Sequence, residues 1–599
     1  MHRCILGFAL LLLGAAGNTQ QVDYRVAIPQ PTTRLVNVSI EIRDIDGEFI
    51  DVAMPMWTPG GYGASWFAKN VQEVRAETPD GHELDVRQVG TSQWRISTDS
   101  DAADFHYKVF LPSRRGSTPL DDTHYRFMGI NTLMYVVGED PYPAPGAVTL
   151  SFDAPEGWVF ATGLEETAYG SFVAPDYDTL VDAPVEMAAK LEWLTFSHDN
   201  TKYELVIRNP HNLNREQFLK DVRRIVTEQT AMMGGAPFER YVFLLTGINT
   251  RGGGLEHLNS TTITFRRYGD MESPDYEHLQ FLIAHEFFHL WNVKRIRPEI
   301  LGPFDYSKPQ HTRNLYIAEG ITDYYAYLTA ARAGVWSHEQ FYEKLASVIE
   351  ELQTSPGRLI RSVESASYRA WTRPDNSADA DISFYTKGSL IGLLLDLEIR
   401  ARTNSKRSLD DVFRYLLAEH GLPKPGFEEE RGFQDAVSRT AAEGGGDADF
   451  RDFFDRYVAG VDELDYNAFL QHVGLQLQVE PIPGKNVPSL EIETAANGAG
   501  LVVTGLDVGG AGSRAGLMTD DILMLLNDER IDEKSLASRL KTIGVGGTAV
   551  LSVMRGDRLV KVPVVLAESM PLSYTLIEDE SANSAAVKRR ELWLKSYAP

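Results

Sequence analysis

The segment that most restricts what this chain can fold into is His285-Glu286-Phe287-Phe288-His289. Two His four residues apart on a helix project from one face and can hold a single Zn2+, while the Glu between them reaches a water on the metal. Upstream, Ser273-Pro274-Asp275 supplies an N-cap, a Pro at the first helical position and an early carboxylate. The pattern predicts a zinc-binding helix. The alternative, two His hydrogen-bonded inside an ordinary helix, predicts no third ligand downstream.

A candidate third ligand follows the two His. Glu319 stands among apolar and aromatic residues in the segment from Leu315 to Tyr325, which reads as the start of a second helix. A buried Glu without a cation is costly, and two His plus one Glu leave the fourth tetrahedral position of zinc open for water. Asp323 lies one turn further on and is predicted to accept the second ring N–H of a zinc-bound His. A solvated surface carboxylate is the alternative for Asp323.

Three motifs together resemble a known family. HEFFHLWNVKRIRP at His285 to Pro298, AEGITDYY around Glu319 and GGGLEH at Gly252 to His257 are similar to the glycyl aminopeptidase family of PDZ-containing zinc metallopeptidases. The resemblance extends to Met56–Tyr62 and to a PDZ-like segment near the C-terminus. It implies a thermolysin-like catalytic domain of the gluzincin group with one Zn2+ per chain. The implied metal ligands are His285, His289 and Glu319, and the implied general base is Glu286.

The glycine-rich motif also has a role in that family. The apolar run Tyr241–Leu245 reads as a strand, and it leads through a loop into Gly252–His257, where glycines let backbone approach a ligand closely. The resemblance implies that this edge strand lines the substrate with Gly253 and Gly254, and that Glu256 binds a free α-amine. The alternative is a Gly-rich hairpin with one exposed acid.

A further match concerns the oxyanion. Ser383-Phe384-Tyr385-Thr386-Lys387-Gly388 resembles a Tyr-x-Lys-Gly segment of such aminopeptidases, which implies that the Tyr385 hydroxyl donates to the developing oxyanion. The alternative is a packed Tyr at the start of a helix.

The N-terminus and the charge restrict location and partners. Residues 1–20 contain Arg3, an apolar run and the small residues Gly14–Gly17, which are typical of a signal peptide, and they hold the only cysteine, Cys4. We therefore predict an exported protein, periplasmic or secreted. No other stretch approaches the roughly 18 apolar residues of a membrane span, so no transmembrane anchor is expected. Removing residues 1–20 changes the formal net charge from -26 to -27, which argues against a nucleic-acid partner.

The chain predicts a multidomain α+β protein. Residues 22–195 alternate apolar and polar residues between Gly-bearing turns, which indicates a β-sandwich-like domain. The predicted catalytic domain, mainly helical, covers 196–478, and Pro481–Gly484 reads as a linker. A PDZ-like domain is predicted over 485–568 and a tail or short docking helix over 569–599.

In the PDZ-like segment, Gly500-Leu501-Val502-Val503 is predicted to form the loop that binds a C-terminal carboxylate while a peptide adds as a strand. A C-terminal peptide ligand is therefore expected. The alternative is a small β-domain that packs on the catalytic unit and binds nothing.

The functional hypothesis is a zinc aminopeptidase whose substrates are peptides with a free N-terminus. The family resemblance implies a preference for small N-terminal residues such as Gly or Ala. One alternative is a PDZ-guided zinc endopeptidase that acts on exported or unfolded proteins. Another is a non-catalytic binding scaffold, but the intact set of His285, Glu286, His289 and Glu319 argues against it.

Overall fold

The computed structural model describes residues 20–112, 120–267, 269, 271–483, 487–498 and 500–598. The predicted signal peptide lies outside the described residues apart from residue 20, and so do Gly484 of the predicted linker and residues 485 and 486 of the predicted PDZ-like domain. The chain forms two compact units. The first contains the residues up to Arg223, Ala236–Arg295 and Ile300–Gln310, and the second contains Arg224–Gly235, Ile296–Glu299 and the residues from His311 onwards.

The N-terminal part of the first unit consists almost entirely of strands. Its sequence alternates, so that Val36, Val38 and Ile40 of one strand are buried while the residues between them are partly exposed. The prediction of a β-rich N-terminal domain is confirmed. The elements are β1 (Gln21–Ala27), β2 (Leu35–Arg43), β3 (Phe49–Ala53), β4 (Val71–Glu77), β5 (Glu83–Leu84), β6 (Val86–Gln88), β7 (Gln93–Ser97), β8 (Ala102–Phe110), β9 (His124–Phe127), β10 (Tyr135–Val136), β11 (Val148–Asp153), β12 (Val159–Thr162), β13 (Glu165–Ala168), β14 (Ser171–Ala174), α1 (Tyr177–Asp182) and β15 (Val185–Ala188).

These strands form three sheets. The eight-stranded sheet has the order β13-β14-β11-β1-β2-β8-β4-β5, the second sheet has the order β10-β3-β7-β6, and the third has the order β12-β15-β9. Val38 of β2, Val52 of β3 and Trp94 of β7 belong to one buried core, so the two larger sheets share a hydrophobic interior.

The chain then enters a mixed five-stranded sheet of order β16-β17-β18-β20-β19. The central strands run parallel and are buried, which explains the continuous apolar run Tyr241–Leu245. β19 is antiparallel to β20 at the edge and packs against the helix that follows, α3. The elements are β16 (Glu192–His198), β17 (Thr201–Arg208), α2 (Arg215–Met233), β18 (Arg240–Ile248), β19 (Gly254–Glu256), β20 (Ser260–Arg266) and α3 (Pro274–Phe288).

Helices dominate the second unit as far as residue 473, in agreement with the predicted helical catalytic region. No helix among the described residues is long and apolar enough to cross a membrane. Two π-helical turns, Tyr316–Ile321 and Phe454–Ala459, interrupt the α-helices. The α-helices are α4 (Thr322–Arg332), α5 (His338–Thr354), α6 (Val363–Tyr368), α7 (Ser377–Ala380), α8 (Phe384–Arg402), α9 (Leu409–His420), α10 (Gly432–Glu443), α11 (Arg451–Phe453) and α12 (Tyr466–Leu470).

A β-rich segment is inserted between two paired strands of this unit. β21 (Leu475–Pro481) and β30 (Leu572–Glu578) are antiparallel partners, and Pro481 stands opposite Leu572. The described residues between them form their own hydrophobic core and a sheet of order β23-β24-β25-β27-β28, with β26 paired to β25. The elements are β22 (Val487–Ser489), β23 (Ile492–Ala496), β24 (Leu501–Leu506), α13 (Ala511–Ala515), β25 (Ile522–Leu526), β26 (Glu529–Arg530), α14 (Glu533–Ile543), β27 (Thr548–Arg555), β28 (Arg558–Val565) and β29 (Ala567–Ser569).

Most of the predicted carboxylate-binding loop, Gly500 to Val503, is a strand in the structure. Leu501, Val502 and Val503 lie in β24, and the backbone of Leu501 and Val502 pairs with β23 on one side and with β25 on the other. Leu501 and Val503 are also buried in the core of the segment. Because no free strand edge remains at these residues, a peptide cannot add there.

The C-terminal residues pack into the second unit. β30 is followed by α15 (Ser584–Trp593), and the indole of Trp593 is fully buried. Its Nε1 donates a hydrogen bond to the Tyr324 hydroxyl at 2.9 Å, and its carbonyl accepts one from Arg332 Nε at 2.9 Å. The Tyr597 hydroxyl donates to the buried Asp410 at 2.9 Å. The segment predicted as a tail or docking helix therefore completes the core of this unit.

Candidate functional site

The two His of the motif lie at the end of α3. The helix ends at Phe288, and His289 follows in helical conformation with its N–H bonded to the His285 carbonyl at 3.2 Å. The two rings are nearly perpendicular, with 2.9 Å between their Nε2 atoms. His289 is 1 % exposed and His285 7 %, so both nitrogens converge in a place with little access to water.

The backbone fixes the protonation of one ring. Nδ1 of His289 donates to the Asn292 carbonyl at 2.7 Å, which leaves Nε2 as the acceptor nitrogen that faces His285. The second nitrogen of the His289 ring is therefore bound by a backbone carbonyl and not by the predicted carboxylate of Asp323. The sequence carries no signal for this contact because any residue at position 292 offers the same carbonyl.

Two groups of three side chains among the described residues could hold a metal ion. One is the predicted set of His285, His289 and Glu319. The other consists of Glu256, Glu286 and His289, whose donor atoms all lie within 4.8 Å of one another. The groups share His289, so only one of them can be the main metal site.

The first group fits a catalytic zinc ion. Its donors are two imidazoles and one carboxylate, all buried, and three protein ligands leave a position open. The hydrogen bond from His289 Nδ1 to Asn292 sets the tautomer that a ligand needs, and two nitrogens 2.9 Å apart can both reach one ion at about 2.0–2.1 Å.

Glu319 lies in the π-helical turn Tyr316–Ile321, where the sequence pattern predicts an ordinary helix start. π-Turns are rare and are frequent at functional sites. A Cβ added to Gly320 would lie 2.5 Å from the Cα of Gly388, so this turn approaches α8 through two glycines. The close approach accounts for the Gly of the Tyr-x-Lys-Gly segment.

Tyr385 stands in the first turn of α8, whose N-cap Ser383 accepts a hydrogen bond from the Thr386 N–H at 3.2 Å. Its ring stacks on Phe384 with 4.9 Å between the centroids, and the side chain is partly exposed. Asp323 lies in the first turn of α4 and is only 8 % exposed, so it is not a solvated surface acid. The predicted roles of both residues stay predictions.

Glu256 lies on the edge strand β19 and is 4 % exposed, which contradicts the alternative of a hairpin with an exposed acid. Its Oε1 has no hydrogen-bond partner among the described residues. A Cβ on Gly60 would lie 2.6 Å from that oxygen, and Gly60 has a φ of +85°, so its backbone can approach the carboxylate only because it is Gly. The sequence by itself indicates no role for Gly60, although the Pro59-Gly60-Gly61 run signals a special backbone.

Gly254, the first residue of β19, lies against the proposed base. A Cβ on Gly254 would lie 2.3 Å from Glu286 Oε1. Gly253 has open space at the same position, and its N–H donates to Thr264 Oγ1 at 3.1 Å. The edge strand thus brings Gly254 and Glu256 beside Glu286.

We expect Gly254→Ala to lower kcat by about tenfold or more, because the added methyl must displace the Glu286 carboxylate and proton transfer depends on its position. Steady-state kinetics with a peptide substrate measures the change. Gly63→Ala is the matched control, because a Cβ at Gly63 meets nothing within 4 Å. Normal turnover in Gly254→Ala would show that Glu286 need not occupy its present position.

Comparison with known proteins gives two family domains. Residues 278–391 match the M61 glycyl aminopeptidase domain, and residues 23–189 match the peptidase M61 N-terminal domain. No curated protein matches the chain.

Two solved structures are similar to this one. An aminopeptidase N family protein from Idiomarina loihiensis has a TM-score of 0.87 at 24% identity, over 96% of this chain and 100% of that one, which shows a shared fold. An M1 zinc metallopeptidase from Deinococcus radiodurans, a mutant bound to a Tyr-Ser-Ala substrate, has a TM-score of only 0.42 at 12% identity, over 71% of this chain and 92% of that one. The matched catalytic domain includes the HExxH helix, Glu319 and Tyr385. The chain is therefore a peptidase that carries matches to both the N-terminal and the catalytic domain of the M61 glycyl aminopeptidase family.

Proposed function

We propose that this protein is a zinc aminopeptidase that removes small N-terminal residues, such as Gly or Ala, from peptides. Zn2+ is held by His285, His289 and Glu319. The general base is Glu286, the oxyanion donor is Tyr385, and the α-amine of the substrate pairs with Glu256. The preference for small residues rests on the description of the family.

When bound, the ion would supply Lewis-acid chemistry, polarising the scissile carbonyl and lowering the pKa of water. Glu286 takes a proton from the attacking water and passes it to the departing amine. The Tyr385 hydroxyl donates a hydrogen bond to the oxygen on which negative charge develops. Gly254 leaves the space that the Glu286 carboxylate needs in order to move between these two tasks.

The observation that carries the aminopeptidase proposal is the Glu256 carboxylate. It is buried, its Oε1 has no hydrogen-bond partner among the described residues, and it lies with Glu286 and His289 in one cluster. A buried carboxylate oxygen without a hydrogen-bond partner is unfavourable unless a ligand donates a hydrogen bond to it. The protonated α-amine of a peptide is such a ligand, and its pairing with Glu256 would set the scissile bond one residue from the N-terminus.

For the inserted segment between β21 and β30 we propose a PDZ-like domain that handles longer peptides or partner proteins. Support comes from its compact sheet with two helices, α13 and α14, and its separate core. The peptide-binding edge is a strand other than β24, because β24 is paired on both sides.

The aminopeptidase proposal is tested with Glu256→Gln. A charge-assisted contact is worth about 1.5–3 kcal/mol, so kcat/KM for a free-amine substrate should fall by roughly 10- to 150-fold while the zinc content stays at one ion per chain. Glu165→Gln, on the exposed strand β13, is the control for the same chemical change. Loss of zinc from Glu256→Gln would mean that Glu256, Glu286 and His289 hold the metal, and unchanged kinetics would remove Glu256 from substrate binding.

A further inference from the structure

A cavity lies in the first unit, and no residue of α3 lines it. It is open, has a volume of about 590 Å3, and is bounded by the ends of β9, β15 and β17 and by the chain that leads into α2. None of the predicted site residues lines it. Its size is that of a small-molecule pocket.

The charges on its wall are mostly of one sign. Five of its lining side chains are basic or can become so, and the single acid, Glu192, is already held by Arg215 through bonds of 2.9 and 3.2 Å. In a chain with a net charge of -26, such a concentration of positive charge is unusual. The basic side chains, which we call the basic pocket, are His124, Lys190, Arg208, His211 and Arg215.

A buried ionic cluster shares His124 and Arg208 with the basic pocket. Glu186, 2 % exposed, lies 2.7 Å from Arg126 Nε, 3.0 Å from His124 Nε2 and 3.5 Å from Arg208 Nε. Although burial acts in the opposite direction, Arg126, His124 and Arg208 lower the pKa of Glu186 to about 2. Asp121 is a second carboxylate that acts on His124 and Arg208, and Arg126 also donates to Thr246 at 2.5 Å.

The Arg208 side chain lines the cavity and is 19 % exposed, more than the other members of the cluster. His124 is 1 % exposed, and its Nδ1 has no hydrogen-bond partner among the described residues; the same holds for Nε of Arg208. Burial lowers the pKa of Arg208, although Glu186 and Asp121 act in the opposite direction. An anion in the cavity would therefore stabilise the charged guanidinium of Arg208.

We propose that the basic pocket binds a small organic anion that carries two or more carboxylate or phosphate groups. One anionic group pairs with the Arg208 guanidinium, and a second reaches Lys190 at the exposed rim. Carboxylate and phosphate groups both offer a pair of anionic acceptor oxygens to a guanidinium, so the residues of the wall do not select between them.

The proposal is tested by calorimetric titration of the full-length, zinc-loaded protein with succinate, with 1,4-butanediol bisphosphate, and with uncharged 1,4-butanediol. We expect one or both anions to bind and the diol not to bind. Arg208→Gln should weaken binding by about tenfold or more, because it removes a charged donor. The control is Arg25→Gln, whose arginine is 64% exposed and does not line the cavity, and it should bind the anions as the wild type does. Chelation of zinc by the anion would be equal in all of these proteins, so it cannot produce a difference between them.

Two further variants cover a failure of Arg208→Gln to fold. Arg208→Lys keeps the charge and should bind between the wild type and Arg208→Gln, and Lys190→Ala, at an exposed position, should weaken binding by about threefold or more. A response to only one anion would identify the ligand group. No heat with either anion at about 10 mM, or equal affinity in the wild type and in Lys190→Ala and Arg208→Lys, would overturn the proposal.

Discussion

Replacing Glu286 by Gln is expected to lower kcat by about 10²- to 10⁴-fold while leaving the zinc content at one ion per chain. Gln has the shape of Glu but cannot accept the proton of the attacking water at neutral pH. The substitution leaves His285, His289 and Glu319 in place, so the metal should remain. Turnover of a free-amine peptide and elemental analysis of the same preparation measure both effects.

Glu277→Gln makes the same chemical change in the first turn of the same helix and should leave turnover near that of the wild type. His289→Ala should lose both zinc and activity, because it removes a member of both candidate metal groups. If Glu286→Gln lost zinc as completely as His289→Ala, Glu286 would be a ligand and not a base.

The second large effect concerns the end of the chain. A protein that stops at Pro481 keeps every proposed catalytic residue, and chain order alone predicts that it is active. The structure leads us to expect that it does not fold, because it lacks β30, the partner of β21, and the fully buried Trp593. Loss of a buried Trp side chain by itself costs about 3–5 kcal/mol, a large part of the stability of a typical domain. Soluble yield and thermal unfolding measure the effect.

Internal excision is the matched comparison. Ile482 N–H donates to the Pro571 carbonyl at 2.9 Å, so residues 483–570 can be replaced by a short Asn-Gly turn that joins β21 to β30. We expect this variant to fold, to bind zinc and to hydrolyse small free-amine substrates at nearly the wild-type rate. A soluble, active chain ending at Pro481, or an inactive but folded excision variant, would contradict the account.

The sequence predicted those features that depend on residues close together in the chain. The alternation in Val36–Ile42 predicted a strand, and Ser273-Pro274-Asp275 predicted the start of α3. The HExxH spacing predicted two neighbouring imidazoles, because it matches the period of one helix. The burial of Glu256 also agrees with the family motif that contains it.

Other features depend on contacts between distant parts of the chain. The carbonyl of Asn292 that holds His289 has no side-chain signature, and the close approach of Gly60 to Glu256 joins residues almost 200 positions apart. Whether Leu501 and Val502 form a loop or a strand was decided by two partner strands. The residues after 570 carry no sequence motif that predicts their role, because that role is to pair with β21 and to bury the single side chain of Trp593 in the core.

The central claim, hydrolysis that requires a free α-amine, is tested most directly by giving the zinc-loaded wild-type protein two versions of one Gly- or Ala-initiated peptide, one with a free N-terminus and one N-acetylated. Acetylation removes the charge that Glu256 is proposed to bind, so we expect the free peptide to be shortened from its N-terminus and the acetylated peptide to be cleaved at least about tenfold more slowly. Equal cleavage of the two peptides would contradict the aminopeptidase assignment.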